Sequence, residues 1–349
     1  MTASGVPMSL LRGEKMLRTS ISKLAIASVV LALWLPGAAS AQTAFSQIVV
    51  FGTSLSDSGN VYTLTGEQIT APYATHLDEL LIPDRPYARG GHHFSNGATW
   101  IEQFAQTSGL AGSTRPAILA TTQEAANFAL GGARARDLAA PAQMPCSAGA
   151  PNDLQTQVDC FLLHFGQAPQ DALYVVEMGS NDVRDAVDAF ASGNPATAAA
   201  ILGNAIQAIG GNIGKLFAFG ARRFLIVNVP DLGKTPALRA TDLTHPGAAA
   251  LASGVALQFN GLLQSLLPQL QQLPGSQFRM LDSFGLLNTV VAQPAAYGFS
   301  NVTTSCVLGP TVPPFTCQTA EQFLFWDGIH PTQAFHSIVA DAARSVLGL

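Results

Sequence analysis

Runs of apolar residues rich in β-branched side chains recur at wide intervals along the chain and predict β-strands. These runs span residues 48–51, 173–176, 224–229 and 278–281. The runs are largely apolar instead of alternating, which is typical of strands that are buried on both faces. The pattern therefore predicts a central sheet that is covered on both sides.

The segments between these strands have helical character, most clearly at residues 99–107, 197–219, 248–273 and 332–347. Strands that alternate with helices indicate an α/β fold, with a mainly parallel sheet between helical layers. Right-handed crossovers place the carboxyl ends of such strands along one edge, where ligands usually bind. Residues 60–98 and 136–170 mix proline, glycine and polar residues, and we expect them to form loops over that edge and not separate domains.

The amino terminus has the pattern of a secretory signal peptide. Basic residues are scattered over 12–23, an uncharged apolar run follows at 24–35, and the sequence ASA lies at 39–41. Cleavage after residue 41 would leave a single domain over 42–349, in the periplasm or outside the cell. The alternative is a membrane anchor, but an apolar run of about a dozen residues is shorter than the roughly 20 that cross a bilayer.

Composition narrows the functional classes. The chain is 48% hydrophobic and only 11% charged, which suits a large buried core, and its net charge is −5. A mildly acidic protein lacks the basic surface that nucleic acids require, so we expect no nucleic-acid partner. No run after residue 41 predicts a transmembrane anchor, and no His-Glu-x-x-His motif or carboxylate cluster predicts a metal.

The chain contains four cysteines, Cys146, Cys160, Cys306 and Cys317. An even number in an exported chain predicts disulfides, for which three connectivities exist. Proximity in sequence favours Cys146–Cys160 and Cys306–Cys317, each closing a loop rich in proline, glycine, serine and threonine. Because no Cys-x-x-Cys motif occurs, we expect structural disulfides and neither zinc binding nor thiol redox chemistry.

Polar residues that suit ester chemistry follow two of the predicted strands. The strand at 48–51 runs into GTSLSDSGN, which places Ser54 at the edge of the sheet. The strand at 173–176 is followed by Asn181, whose amide could donate a hydrogen bond to a developing negative charge. Between them, Gly132 follows another glycine, and paired glycines let a backbone N–H approach a ligand closely. Taken singly, each is more often a helix cap or a turn residue.

The fourth segment, FWDGIHP at 325–331, lies just ahead of the last predicted helix. Asp327 and His330 are three residues apart on a tight turn, so their side chains can form a hydrogen bond. The carboxylate then holds the imidazole in the tautomer that accepts a proton from a serine. His336, one turn further on, is a weaker candidate for the base, and we expect it on the helix surface.

These four segments resemble, in order and spacing, the blocks of the GDSL (SGNH) hydrolase family, and specifically its bacterial lipase-like branch. Ser54, Gly132, Asn181 and His330 match the residues from which that family takes its second name. The sequences FSNG at 94–97, NVPDLG at 228–233 and GFSNVT at 298–303 also resemble that branch. The resemblance extends from about residue 48 to the last helix, and it implies a three-layer α/β/α sandwich.

Two positions depart from the family pattern. The first block usually reads Gly-Asp-Ser-Leu, whereas this chain has Thr53 in place of the aspartate. Threonine keeps a side-chain oxygen but has no charge, which alters the local turn and the electrostatic field at Ser54. His93 stands where relatives commonly carry arginine, and we expect it to be structural.

The resemblance implies a secreted serine esterase or lipase that uses no cofactor. Ser54 would be the nucleophile, His330 the base, and Asp327 the carboxylate that orients it. The N–H groups of Ser54 and Gly132 and the amide of Asn181 would form the oxyanion hole. Alternatives with the same chemistry are a phospholipase, a lipid acyltransferase and a polysaccharide O-deacetylase. From a different class, a non-catalytic binding module would also have this fold.

Overall fold

The computed structural model of the chain describes residues 45–74, 76–138, 144–309 and 313–349. Within these ranges the chain forms part of one compact unit, Thr43–Leu349. The predicted signal peptide over 1–41 lies outside the described residues, so the domain boundary after residue 41 stays a prediction.

Parallel strands form the central sheet, with the order β1-β2-β3-β4. The strands are β1 (Ile48–Gly52), β2 (Leu173–Glu177), β3 (Arg223–Val227) and β4 (Gln277–Leu281). In their register Gly52 lies opposite Glu177, and Glu177 lies opposite Val227. The carboxyl ends of three neighbouring strands therefore reach the same edge of the sheet. A separate two-stranded sheet pairs β5 (Asn301–Ser305) with β6 (Phe323–Phe325).

Helices connect the strands and confirm the α/β prediction. They are α1 (Asn60–Thr65), α2 (Trp100–Thr107), α3 (Leu154–Phe165), α4 (Ser180–Ala191), α5 (Pro195–Ala218), α6 (Pro236–Thr244), α7 (Ala248–Leu270), α8 (Ser283–Ala292) and α9 (Gln333–Leu347). The predicted helical segments correspond to α2, α5, α7 and α9. The prediction of loops over residues 60–98 and 136–170 was wrong at α1 and α3. In α3, Asp153 caps the first turn by accepting a hydrogen bond from Thr156 N–H, and one face of the helix is buried.

The side chains of the sheet alternate between two apolar cores. On β1, Val49 and Phe51 point to the core formed with α3, α4, α5 and α7. Ile48 and Val50 point to the opposite core, formed with α2, α8 and α9. Both faces of β1 and β2 are covered, and every residue of these two strands is buried, as the sequence indicated. In β4, by contrast, Gln277 and Arg279 are exposed. The result is the predicted three-layer α/β/α arrangement.

Among the described residues, helix α7 is long and apolar enough to cross a membrane by length and composition. One side of α7, including Val255, Phe259 and Leu263, is buried in the core beside the sheet. Packing within the protein therefore accounts for the apolar residues on this side of α7.

Both favoured disulfides are present, Cys146–Cys160 and Cys306–Cys317. Cys306 is buried in a small apolar cluster that also contains Tyr87 and Trp326. Trp326 directly precedes Asp327, so this disulfide supports the loop that carries the candidate carboxylate.

Candidate active site

The structure brings Ser54, His330 and Asp327 into one chain of hydrogen bonds. Ser54 lies two residues beyond the end of β1, and its Oγ is 2.8 Å from His330 Nε2. The other ring nitrogen, Nδ1, is 2.8 Å from Asp327 Oδ2. A carboxylate only accepts hydrogen bonds, so Nδ1 carries the proton and Nε2 presents its lone pair to the serine hydroxyl.

The turn at 327–330 folds around the carboxylate. Asp327 is fully buried, and its Oδ1 accepts hydrogen bonds from the N–H groups of Ile329 (2.9 Å) and His330 (2.7 Å). Its Oδ2 also accepts a hydrogen bond from the Tyr87 hydroxyl at 3.0 Å. Glycine is needed at 328, because a Cβ there would lie 2.0 Å from the carbonyl oxygen of Leu80. The donors hold the carboxylate still and compensate for its burial.

An aromatic ring supports the imidazole from the side. The ring of Phe94 lies 5.4 Å from that of His330, centroid to centroid. This contact depends on Gly131, since a Cβ at 131 would lie 2.3 Å from the Phe94 ring. The first glycine of the pair thus makes room for the packing of the imidazole.

The second glycine has a different role. Gly131 N–H donates to Asp57 Oδ2 at 2.9 Å, whereas the N–H of Gly132 has no hydrogen-bond partner within the described part of the chain. Gly132 also has a φ of 79°, which favours glycine. Its N–H is therefore available to a ligand, and that of Gly131 is not. This distinction supports the choice of Gly132 over its neighbour.

Asn181 lies in the first turn of α4 and is 7% exposed. Its amide Nδ2 donates to the carbonyl of Ala133 at 2.9 Å, which places Asn181 beside the glycine pair. The amide has two N–H groups, so one remains for a ligand. Asn181, Ser54 and His330 line the same cavity, but Gly132 is not part of its lining.

Several buried polar residues join these segments, and their roles were missed by the sequence analysis. Asp57 accepts hydrogen bonds from the N–H groups of Gly59, Asn60 and Gly131, which links the Ser54 segment to the glycine pair. Burial raises the pKa of Asp57 to about 6.

Asp182 accepts hydrogen bonds from Ala135 N–H and from the Arg136 guanidinium, which links the glycine segment to α4. The only sequence signal of Asp57 and Asp182 was a place next to Ser54 and Asn181.

Glu177, the last residue of β2, is a third buried acidic residue that sequence reasoning did not single out. It is 4% exposed, and its carboxyl group accepts hydrogen bonds from Thr53 and Ser56, which flank the nucleophile position. Burial raises the pKa of Glu177 to about 7. The available signal was an acidic residue at the end of an otherwise apolar strand.

Two further histidines, His336 and His93, differ in their position relative to the cavity. His336 is only 2% exposed and lines the cavity, so its expected position on the helix surface was wrong. The helix turns this residue inward against α2 and the sheet, and burial lowers the pKa of His336 to about 3, which keeps it neutral. His93 lies 2.9 Å from Glu102, with the ring nitrogen Nε2 facing a carboxylate oxygen, and does not line the cavity.

The cavity beside Ser54 is mostly apolar. Leu287, Leu324, Phe335 and Val339 line the part that lies between the sheet and helices α8 and α9. This lining suits a hydrocarbon group next to the serine hydroxyl.

One group of potential metal ligands occurs in the described ranges. Ligand atoms of Cys146, Cys160 and His164 lie within 4.8 Å of one another. The two sulfurs are joined in a disulfide, so neither is available as a thiolate. The geometry therefore assigns no metal to this group.

Comparison with known proteins agrees with the geometry. The family model described as GDSL-like Lipase/Acylhydrolase matches residues 48–343. A GDSL esterase/lipase of Arabidopsis thaliana is 27% identical over 185 residues, which cover 50% of this chain and 53% of that protein. For that relative, the match spans about half of its length.

Other relatives match over more of the chain. A second GDSL esterase/lipase of Arabidopsis thaliana is 29% identical over 332 residues, covering 86% of this chain and 84% of that protein. The thermolabile hemolysin of Vibrio parahaemolyticus is 23% identical over 321 residues, covering 88% of this chain and 65% of that protein. Since the family model covers almost the whole folded unit, the chain belongs to the GDSL-like lipase/acylhydrolase family of carboxylic ester hydrolases.

Proposed function

We propose that this protein is a secreted serine esterase or lipase that cleaves acyl esters through a covalent acyl-enzyme. Ser54 is the nucleophile, His330 the general base and Asp327 the residue that orients the base. The observation that carries this proposal is the continuous hydrogen-bond chain from Ser54 Oγ through both nitrogens of His330 to Asp327. A serine needs such a base, since its free hydroxyl is a weak nucleophile.

The reaction begins when His330 Nε2 takes the proton of the Ser54 hydroxyl. The serine oxygen forms a bond to the ester carbonyl carbon, and the carbonyl oxygen becomes an oxyanion. When the tetrahedral intermediate collapses, the bond to the alkoxy group breaks, and His330 returns the proton to the departing alcohol. Water then repeats the sequence on the acyl-enzyme and releases the carboxylic acid. Asp327 stays ionised and stabilises the imidazolium in both halves.

The oxyanion would be bound by three donors, the N–H groups of Ser54 and Gly132 and the amide of Asn181. The free N–H of Gly132 and the second N–H of Asn181 support this assignment. Donors that are fixed before the reaction stabilise developing charge without reorganising, which makes them strong contributors to catalysis.

The acyl part of the substrate is the group that the apolar cavity favours. Leu287, Phe335 and Val339 can contact a hydrocarbon chain, whereas they offer nothing to the hydroxyl groups of a polysaccharide. This observation favours a lipid or other acyl ester over an acetylated glycan. A phospholipase or lipid acyltransferase uses the same acyl site and differs in the leaving alcohol and the acceptor.

Export is supported by two observations that are independent of the active site. The amino terminus has the pattern of a signal peptide over residues 1–41, and two disulfides join the four cysteines. Disulfides persist in oxidising compartments such as the periplasm and the extracellular space.

Labelling with a fluorophosphonate tests the nucleophile directly. We expect the probe to label the wild-type protein and the Ser180→Ala variant but not Ser54→Ala. Ser180 is the matched control, because it lines the same cavity and its hydroxyl has no hydrogen-bond partner within the described residues. Labelling of Ser54→Ala at the wild-type rate would refute the assignment.

Substrate class is tested with p-nitrophenyl esters from acetate to palmitate, assayed beside phospholipid. Hydrolysis that increases with acyl length beyond acetate would support the esterase or lipase function. Transfer of the acyl group to an added alcohol in preference to water would identify an acyltransferase. Activity on acetylated glycan alone would contradict the proposal.

A further inference from the structure

A buried carboxyl group lies directly behind the turn that carries Ser54. Glu177 ends β2, and the parallel register places it opposite Gly52, the last residue of β1. Its side chain is 4% exposed, and it makes no ion pair with any described residue. Desolvation of an unpaired carboxyl group is unfavourable, so hydrogen bonds must account for its presence.

Within the described part of the chain, each hydrogen bond to this carboxyl group comes from the segment around the nucleophile. Thr53 donates its backbone N–H to Oε2 at 3.1 Å, and its hydroxyl lies 3.0 Å from the same oxygen. The Ser56 hydroxyl lies 3.1 Å from Oε2 and accepts a hydrogen bond from Trp100 Nε1 at 3.0 Å. Since the indole only donates, the Ser56 hydroxyl has its own hydrogen free for Glu177.

The identity of residue 53 is linked to this carboxyl group. The Thr53 hydroxyl lies 3.0 and 3.1 Å from the two carboxyl oxygens of Glu177. An aspartate at 53, which is usual in the family, would put a second carboxylate in that place. Two carboxylates in a buried contact cannot both stay ionised, so one of them would have to take up a proton. Threonine at 53 and glutamate at 177 are therefore complementary.

We propose that Glu177 is a positioning residue of this hydrolase, and that Thr53 replaces the usual aspartate because Glu177 supplies a carboxyl group from the neighbouring strand. The proposal rests on the proposed function of Ser54. Glu177 holds the residues on either side of Ser54, and so sets the place of the serine oxygen relative to His330. It also sets the direction of the Ser54 N–H, the proposed oxyanion donor.

The consequence is an effect on turnover instead of on substrate binding. Glu177 borders the cavity but is only 4% exposed, and its carboxyl oxygens are occupied by Thr53 and Ser56, so the main effect of its loss is to displace the reacting atoms. Misplacement of catalytic groups by about 1 Å can reduce the rate about a hundredfold. A change that acts only on the transition state lowers kcat and kcat/KM equally.

A double-mutant cycle with Thr53→Asp and Glu177→Gln tests the pairing. We expect Thr53→Asp to lower kcat about a hundredfold and Glu177→Gln about tenfold, with KM changed by less than about threefold. In Thr53→Asp/Glu177→Gln, the new amide can donate to the new carboxylate, and we expect kcat at least about tenfold above that of Thr53→Asp. A double variant no better than Thr53→Asp would overturn the proposal.

Asp153→Asn is the control for loss of a buried carboxylate. Asp153 is 3% exposed and accepts hydrogen bonds from the N–H groups of Leu138 and Thr156, but it does not line the cavity. We expect this variant to be less stable to heat with kcat unchanged. A kcat for Glu177→Gln that falls no further than that of Asp153→Asn would also overturn the proposal.

Milder variants at 53 keep the test decisive if an aspartate prevents folding. Thr53→Ser retains the hydroxyl, whereas Thr53→Val retains the shape without it. We expect Thr53→Ser to stay within about threefold of wild-type kcat and Thr53→Val to lose about tenfold. Equal activity of the two would refute the pairing. Fluorophosphonate labelling of Ser54 in each variant separates failure of the pairing from failure of the proposed function. If the proposed function is wrong, the wild-type protein itself will not be labelled.

Discussion

Asn181→Ala is the perturbation that most directly tests the proposed oxyanion hole. Asn181 is 7% exposed at the start of α4, and its amide donates one N–H to the carbonyl of Ala133 at 2.9 Å. The second N–H is available to the cavity that contains Ser54. Alanine removes this donor and leaves the serine, the histidine and their hydrogen bonds in place.

The expected size of the effect follows from the donor's place in the site. One preorganised oxyanion donor is worth about 3–4 kcal/mol in the transition state, which corresponds to about a hundredfold to a thousandfold in kcat. Because the oxyanion forms only during the reaction, KM should change little. The lost hydrogen bond to Ala133 leaves a buried carbonyl unsatisfied and should also reduce stability by about 1–3 kcal/mol.

The assay is steady-state hydrolysis of a p-nitrophenyl ester, at a temperature well below the unfolding transition of the variant. Asn212→Ala is the matched control, because Asn212 is a buried asparagine in α5 that bonds the carbonyl of Ala208 and does not line the cavity. We expect this control to lose stability without losing kcat. A decrease of less than about tenfold in Asn181→Ala would remove Asn181 from the oxyanion hole.

Three further predictions follow from the same geometry. Tyr87→Phe removes one of the hydrogen bonds to Asp327 and should lower kcat about three- to tenfold. An unchanged kcat in steady-state assays would contradict this prediction. Gly328→Ala places a Cβ 2.0 Å from the carbonyl oxygen of Leu80, so ester hydrolysis should fall at least about a hundredfold. The raised pKa of Glu177, about 7 against 4.5, means that the folded state binds its proton more tightly than the unfolded state. The unfolding free energy of the wild-type protein, measured relative to that of Glu177→Gln, should therefore decrease by up to about 3 kcal/mol as the pH rises from about 4.5 to about 7. Urea titrations of both proteins measure this difference, and a difference that does not change with pH would contradict the prediction.

The positions of the four strands of the central sheet and of four helices could be read from short-range patterns, whereas β5 and β6 were not predicted. The apolar runs at 48–51 and 173–176 became strands that are buried on both faces between two helical layers. Helix α3 was missed, since polar and proline-rich residues around it obscured its one buried face. Its start depends on a hydrogen bond from Thr156 N–H to Asp153, which is a single-residue signal.

The features of the candidate site also differ in whether the sequence alone could predict them. The segments that carry Ser54, Gly132, Asn181, Asp327 and His330 could be found without a structure, because each is a short block with a characteristic order. The Asp327–His330 contact could be expected from a spacing of three residues. That Ser54 lies within hydrogen-bond distance of His330, across 276 positions of sequence, could be expected only from the resemblance to a known family.

The buried groups that surround these residues depend on how distant segments pack together in the fold. Glu177 reaches Thr53 across 124 positions, because two parallel strands are in register at Gly52, and no local pattern encodes that register. Likewise, Asp57 occupies the N–H of Gly131, and His336 turns into the cavity. Short blocks determine the chemistry that a chain can perform, whereas register and packing determine which buried groups hold that chemistry in place.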